Sequence, residues 1–149
     1  PTDSFLYMLA MNTFTMNTSM NPFENTLSSD KLFNKQAEVI QEIADKDDCI
    51  IVGRCAGYIL RDEPKCVRIY ISADKDFRTK RIMASDHLDE KEAQKKIHSM
   101  DKKRDSYFGY YAGQDWKACH TYDLSISTSA LGIDKAVDLI CQYIDIKFK

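Results

Sequence analysis

Residues 67–84 have the sequence VRIYISADKDFRTKRIMA, which predicts a strand followed directly by a helix. The apolar run Val67–Ile71 predicts the strand. A basic helix is predicted from about Asp76 to Ala84, after the turn at Ala73 and Asp74. A strand that runs into a helix is the unit from which parallel α/β sheets are built.

The same alternation is predicted upstream of this unit. A short apolar helix is predicted over residues 4–12, and a helix capped by Asp30 from about Lys31 to Ala44. The continuous apolar run Cys49–Val52 is typical of a strand covered on both faces. One or two helical turns are predicted over residues 55–60.

Downstream, Asp89 and Glu92 resemble a capping box that opens a long helix ending near Tyr111. A third strand is predicted over Leu124–Ser127, and a final amphipathic helix over Ile133–Lys147. We therefore predict one α/β domain over residues 1–149, with three layers and a parallel sheet flanked by helices.

The composition excludes several classes of protein. Of the 149 residues, 44% are hydrophobic and 30% charged, as in globular rather than disordered chains. No apolar run is long enough for a membrane span, and a net charge of −2 argues against a nucleic-acid partner. The five cysteines form no C-x-x-C pair, which favours a reducing, cytoplasmic location. No histidine has a partner at zinc-ligand spacing, so no metal site made by protein ligands is predicted.

Arg54 follows Gly53 at the end of the predicted strand 49–52. Ligands of open parallel sheets bind beyond the carboxyl ends of the strands. A guanidinium at that place can hold a phosphate by two parallel hydrogen bonds. The alternative is that Arg54 pairs with a surface carboxylate, and its position in the sequence leaves both open.

Residues 78–104 carry nine basic and five acidic side chains, a local excess of +4. This excess attracts a polyanion of limited size. Alternatively, it reflects two solvated helix faces with pairs such as Glu92 with Lys96. The aromatic cluster over residues 107–116 could likewise stack a nucleobase or anchor the long helix.

Six blocks in chain order resemble the cytidylate kinase-like family of nucleoside monophosphate kinases, which have the P-loop fold. The most specific blocks are IVGRCAGYIL (51–60) and DKKRDSYFGYY (101–111). The resemblance implies a three-layer P-loop NTPase-like sheet with a helical lid region over about residues 86–118. It also implies transfer of the ATP γ-phosphate to CMP or a related nucleoside monophosphate, with Mg²⁺ bound mainly through nucleotide phosphates.

The resemblance further implies roles for eight side chains. Those on the substrate-binding side are Arg54, Lys35, Gln36 and Arg78. Those implied in catalysis, where basic groups of the lid close over the transferring phosphoryl group, are Arg81, Asp101, Lys103 and Arg104. Residues 125–132 match a loop near the adenine.

The sequence departs from the family pattern at two places. Bacterial cytidylate kinases have Gly-Arg-Asp where this chain has Gly53-Arg54-Cys55, which leaves the acceptor base open. The family's first strand and Gly-rich phosphate loop are not found in these residues. Because that strand is central in the sheet, we expect an upstream segment or another chain to fill a slot between strands 49–52 and 67–71. A catalytically inactive, nucleotide-binding regulatory module is the alternative hypothesis.

Overall fold

The computed structural model describes residues 22–149, with side chains from residue 29 onward. Contacts divide the chain into two compact units, Pro1–Val39 and Ile40–Lys149. The described part of the first unit, residues 22–39, belongs to helix α1 (Pro22–Lys46). The helix predicted over residues 4–12 lies outside the described residues.

Helix α1 begins at Pro22, well before the predicted start at Lys31. The prediction that Asp30 caps this helix is therefore wrong, since Asp30 lies inside it. Proline suits a first helical position because its missing N–H has no partner there in any helix and its fixed φ is already helical. Pro22 was thus a stronger start than Asp30.

Residues 49–52 form no strand, so the prediction for Cys49–Val52 is wrong. Ile50 is 95% exposed and Val52 is 88% exposed. A strand is defined by hydrogen bonds to a neighbouring strand. Within residues 22–149 the only strand pair joins two other segments. The apolar sequence of residues 49–52 is therefore not sufficient to form a strand.

Strands β1 (Ile69–Ser72) and β2 (Leu124–Ser127) form a two-stranded parallel sheet in the described part of the chain. Their register sets Ile69 opposite Leu124 and Ser72 opposite Ser127. The prediction for β2 is confirmed at both ends, whereas β1 begins two residues later than predicted. The structure is a mixed α/β fold with a small parallel sheet.

Asp123 fixes the start of both strands. Its Oδ2 accepts hydrogen bonds from the Arg68 backbone N–H at 2.7 Å and from Arg68 Nε at 3.2 Å. Its Oδ1 accepts from Arg68 Nη2 at 3.0 Å. The hydrogen bonds from Arg68 hold the pKa of Asp123 below its usual range. One carboxylate thus joins the residue before β1 to the residue before β2.

The basic helix α3 (Lys75–Asp86) follows β1 and confirms the predicted helix, with one or two more residues at each end. Asp74 caps it by accepting a hydrogen bond from the Phe77 N–H at 2.8 Å. His87, in a left-handed conformation with φ 55°, ends it. Before β1, Ala56–Ile59 forms the short helix α2, as predicted.

The long helix α4 (Glu90–Ala112) opens with the predicted capping box. Asp89 Oδ1 accepts from the Glu92 N–H at 2.8 Å, and Glu92 Oε2 accepts from the Asp89 N–H at 3.2 Å. The chain turns at residues 87–89, so α3 and α4 lie against each other as a helical hairpin.

Beyond a 3₁₀ turn at Cys119–Thr121 and strand β2, the short helix α5 (Thr128–Leu131) leads to helix α6 (Ile133–Lys147). The bounds of α6 are as predicted. The buried residue of α6 is Ala136, whereas Val137 is exposed. Within residues 22–149, no helix has both the length and the apolar character needed to cross a bilayer.

Candidate functional site

One face of helix α4 carries Asp101, Arg104 and Tyr107 at steps of three residues, which we call the α4 row. Side chains three or four residues apart on a helix are neighbours. With a rise of about 1.5 Å per residue, the row is about 9 Å long. Arg78 of α3 pairs with Asp101, the first residue of the row. Arg54, in the turn before α2, lies against the ring of Tyr107, the last residue of the row.

Asp101 joins two guanidinium groups. Arg78 donates to Asp101 through Nη1 at 2.8 Å and Nη2 at 2.7 Å, and Arg104 Nη1 lies 3.4 Å from Asp101 Oδ1. The side chain of Asp101 is only 17% exposed. The hydrogen bonds from Arg78 hold the pKa of Asp101 below its usual range, and the charges of Arg78 and Arg104 act in the same direction. Asp101 is therefore ionised at neutral pH and orients two arginines.

Arg54 lies in a turn of three residues with positive φ: 77° at Gly53, 54° at Arg54 and 56° at Cys55. This conformation is unusual for residues other than glycine. The Arg54 guanidinium carbon lies 6.0 Å from the centre of the Tyr107 ring. Burial raises the pKa of Tyr107, while the charge of Arg54 and the hydrogen bond from its guanidinium oppose that rise.

Cys55 follows Arg54 in the same turn. Its side chain is buried, with the residue 5% exposed. Burial raises the pKa of the Cys55 thiol to about 11, against the opposing charge of Arg54. The thiol is therefore neutral at physiological pH, and position 55 presents no charge at the surface.

A cleft of about 390 Å³ lies between α3 and α4. Four of the side chains that line it are cationic, and its lining comprises Arg78, Arg81, Ile82, Asp86, Lys96, Ile97, Met100 and Arg104. Across the residues that the structure describes, Arg81 has no carboxylate partner. Arg104 belongs to both the α4 row and the cleft lining. The row therefore lies near Arg81, which has no carboxylate partner among the described residues.

The far end of the cleft is closed by Lys96 Nζ, which lies 2.6 Å from Asp86 Oδ2. The prediction that Lys96 pairs with Glu92 on its own helix is wrong. Lys96 reaches α3 instead, because the hairpin brings Asp86 next to it, while Glu92 serves the capping box. Hydrogen bonding from Lys96 also lowers the pKa of Asp86.

Part of the aromatic cluster anchors the end of α4 to the sheet. Trp116 meets Tyr70 of β1 edge-on, with ring centres 5.6 Å apart, and Tyr122 donates a hydrogen bond to the Trp116 carbonyl at 2.7 Å. Arg104 also lies 6.0 Å from the Trp116 ring. These contacts favour the anchoring interpretation for Trp116, whereas Tyr110 is 62% exposed.

Of the eight predicted site residues, Arg78, Asp101 and Arg104 are joined by ion pairs and Arg81 lines the same cleft. Arg54 lies against Tyr107 at the other end of the α4 row. Lys103 is exposed and does not line the cleft, because adjacent helical residues point to different faces. Lys35 and Gln36 lie in the first unit, where Lys35 Nζ is 2.6 Å from Glu38 Oε2 and Gln36 is buried. Their predicted role stays a prediction.

Sequence reasoning missed Tyr107 as a partner of Arg54. Tyr107 was predicted as a member of the aromatic cluster over residues 107–116, which could stack a nucleobase or anchor the long helix. The spacing from Asp101 to Arg104 to Tyr107 was a usable signal, since it sets an aromatic ring beside two charged groups on one face.

Comparison with known proteins identifies relatives with a stated activity. Residues 1–130 match the cytidylate kinase-like family. The chain is 31% identical to a cytidylate kinase of Sulfolobus acidocaldarius over 103 residues, which cover 69% of this chain and 56% of that protein. It is 27% identical to a cytidylate kinase of Methanoculleus marisnigri over 111 residues, covering 74% of this chain and 59% of the relative.

A solved structure is also similar. The crystal structure of an uncharacterized protein from Eubacterium ventriosum matches with a TM-score of 0.75 and 37% identity, over 78% of this chain and 73% of that one. The chain spans less than two thirds of the length of the curated relatives that it matches. Since the family match extends over most of these 149 residues, the chain belongs to the cytidylate kinase-like family.

Proposed function

We propose that this protein is a nucleoside monophosphate kinase that transfers the γ-phosphate of ATP to CMP or a related nucleoside monophosphate. The observation that carries the proposal is the α4 row, where Arg78 pairs with Asp101 beside a cationic cleft and Arg54 lies against Tyr107 at the other end. Guanidinium groups bind phosphate oxygens by paired, charge-assisted hydrogen bonds.

Phosphoryl transfer depends on positioning and on neutralising charge more than on covalent help from the protein. In the proposed reaction, Arg54 holds the phosphate of the acceptor. Arg78 and Arg104, oriented by Asp101, neutralise the charge that spreads over the transferred group. Arg81, which has no carboxylate partner among the described residues, remains available for the donor phosphates.

Helix α4 and the segments on either side of it supply the proposed lid, over about residues 86–118. Closure over the nucleotides would exclude water, which otherwise competes as the phosphate acceptor. Lys103 is proposed to act from the lid, Lys35 and Gln36 on the acceptor side, and residues 125–132 near the adenine.

Mg²⁺ would neutralise the phosphates of ATP as it does in related reactions. Within residues 22–149, no three carboxylate, thiol or imidazole groups come together as metal ligands. The proposal therefore assigns the ion to the nucleotide phosphates, with the arginines of the α4 row around them. It also includes a cytoplasmic location and the three-layer P-loop NTPase sheet.

A nucleotide panel tests the proposal on the full chain. Thermal unfolding is measured with CMP, dCMP, UMP or AMP, and formation of ADP from ATP is followed for each acceptor. A nucleotide at 100 times its Kd stabilises the folded state by about 2.7 kcal/mol. We expect stabilisation by at least one pyrimidine monophosphate, and its loss in Arg54→Ala and Arg81→Ala.

Arg61→Ala is the matched control, because Arg61 is also an arginine of the second unit but stacks on Tyr58 and does not line the cleft. Neither binding nor ADP formation with any of the four acceptors would overturn the proposal. Binding without transfer would support the inactive regulatory module instead.

A further inference from the structure

Arg54 holds a backbone conformation that its own sequence does not favour. Arg54 and Cys55 both have positive φ, and neither is glycine. Such conformations are unfavourable for residues other than glycine and persist only where the surrounding structure imposes them. The contacts around this turn therefore determine where the Arg54 side chain lies.

The first contact is on the Cys55 side of the turn. Cys55 and Ala56 are both buried, and the Cys55 carbonyl accepts hydrogen bonds from the N–H groups of Tyr58 and Ile59, each at 2.9 Å. These interactions fix the backbone of the turn. The Cys55 side chain is a neutral thiol, so it cannot orient the Arg54 guanidinium through a charged hydrogen bond.

The second contact is Tyr107 on α4. The Arg54 guanidinium carbon lies 6.0 Å from the ring centre, which is within the range of a cation–π interaction. Tyr107 is itself held in place by Tyr111 one turn later, with ring centres 4.8 Å apart in an edge-on arrangement. A well-packed aromatic residue on a long helix is a rigid support for a flexible arginine.

We propose that Tyr107 is the positioning residue of Arg54, holding the guanidinium toward the phosphate of a nucleoside monophosphate. The inference rests on the proposed function and adds a residue to it. In this chain an aromatic ring and its hydroxyl thus replace the carboxylate that could order the arginine from position 55. Nothing at position 55 then contacts the acceptor base, so discrimination between bases has to come from elsewhere in the site.

The test uses Tyr107→Phe, which keeps the ring, and Tyr107→Leu, which removes ring and hydroxyl. Tyr110→Phe is the control, since Tyr110 is exposed on the same helix. The Kd for CMP is measured by calorimetry for each variant and for each one combined with Arg54→Ala. We expect Kd to rise about 3-fold in Tyr107→Phe and about 10-fold in Tyr107→Leu. Neither change should have an effect when Arg54 is absent.

A second readout does not depend on nucleotide binding. The Nε–H resonance of Arg54, assigned by its loss in Arg54→Lys, is followed by NMR in the free protein. We expect Tyr107→Leu to shift it toward the position of exposed arginines, and Tyr110→Phe to leave it in place. An unmoved resonance, or an unchanged Kd in Tyr107→Leu, would overturn the positioning role. Failure of the wild type to bind any nucleoside monophosphate would instead overturn the proposed function.

Discussion

Arg78 and Asp101 form a two-point ion pair across the α3–α4 hairpin, with N–O distances of 2.7 and 2.8 Å. The two residues are 23 positions apart in the chain, and both side chains are partly buried. Planar, bidentate geometry makes such a pair stronger and more specific than an ordinary surface ion pair. The pair therefore contributes both to the stability of the hairpin and to the orientation of the arginine in the cleft.

Replacing Asp101 should weaken the fold and change its response to acid. Asp101→Asn loses a charge-assisted pair, and we expect the free energy of unfolding at pH 7 to fall by about 1–3 kcal/mol. Arg78 holds the pKa of Asp101 in the folded protein below the usual carboxyl value of about 4. The pair therefore stabilises the protein fully at pH values above about 4. That contribution disappears as the pH falls through the pKa of the folded protein.

Urea denaturation between pH 7 and pH 2 measures both effects. Asp105→Asn is the matched control, because it removes an exposed carboxylate from the same helix. We expect the difference between wild type and Asp101→Asn to vanish in acid, whereas Asp105→Asn should follow the wild type throughout. A constant difference across the whole pH range would contradict this assignment.

Asp123→Asn should destabilise the sheet by about 2–3 kcal/mol, because it weakens three hydrogen bonds to Arg68 at the start of both strands. Chemical denaturation followed by circular dichroism measures the loss. Asp145→Asn on α6 is the control, since Asp145 is exposed. Equal stability of the two variants would show that the Arg68–Asp123 contact makes no net contribution to the free energy of unfolding.

Cys55 should resist alkylation while the protein is folded. Because burial raises its pKa to about 11, only about one thiol in a thousand is ionised at pH 8, and the thiolate is the reactive form. Iodoacetamide followed by peptide mass spectrometry should label the exposed Cys49, Cys119 and Cys141 first. Cys55 should react after urea is added, and early labelling of the folded protein would contradict its burial.

The same pKa predicts how alkali acts on the fold. The protonated thiol is favoured in the folded state, so its contribution is complete below the ordinary thiol pKa near 8.5. It is lost as the pH rises toward 11. Cys55→Ala should remove this part of the alkaline destabilisation, which thermal unfolding between pH 8 and pH 11 would measure.

The sequence predicts those elements whose formation depends on residues that are close together in the chain. The capping box at Asp89 and Glu92 depends on side chains three residues apart, and helix α6 on a run of apolar spacing without breakers. The segment 49–52 failed because a strand requires a hydrogen-bonding neighbour, and apolar sequence does not reveal whether one is present.

The candidate site was predictable as a set of residues but not as an arrangement. The resemblance identified Arg54, Arg78 and Arg104, yet their partners come from other elements. The pairing of Arg78 with Asp101 depends on how the hairpin packs, and that of Arg54 with Tyr107 on a strained turn. Spacing within α4 indicates that Asp101, Arg104 and Tyr107 share a face, but it does not show which residues of other elements pair with them.

The capping box offers a last local test. Asp89→Ala removes an acceptor from the first turn of α4, and we expect a loss of about 1 kcal/mol in the free energy of unfolding. Lys91→Ala, an exposed position in the same turn, is the control and should change stability by less than about 0.5 kcal/mol. Guanidinium titration distinguishes the two, and a larger effect of Lys91→Ala would contradict the capping assignment.

Strands β1 and β2 are neighbours, although residues 73–123 separate them in the chain. Most of that interval belongs to α3 and α4, which contact each other directly. Ordering this pair of helices first would shorten the loop that must close before the strands meet, so we expect the hairpin to lead the folding reaction. The loop-closure cost grows only slowly with length, which leaves the tip at residues 87–89 free to gain or lose residues with little effect on strand pairing.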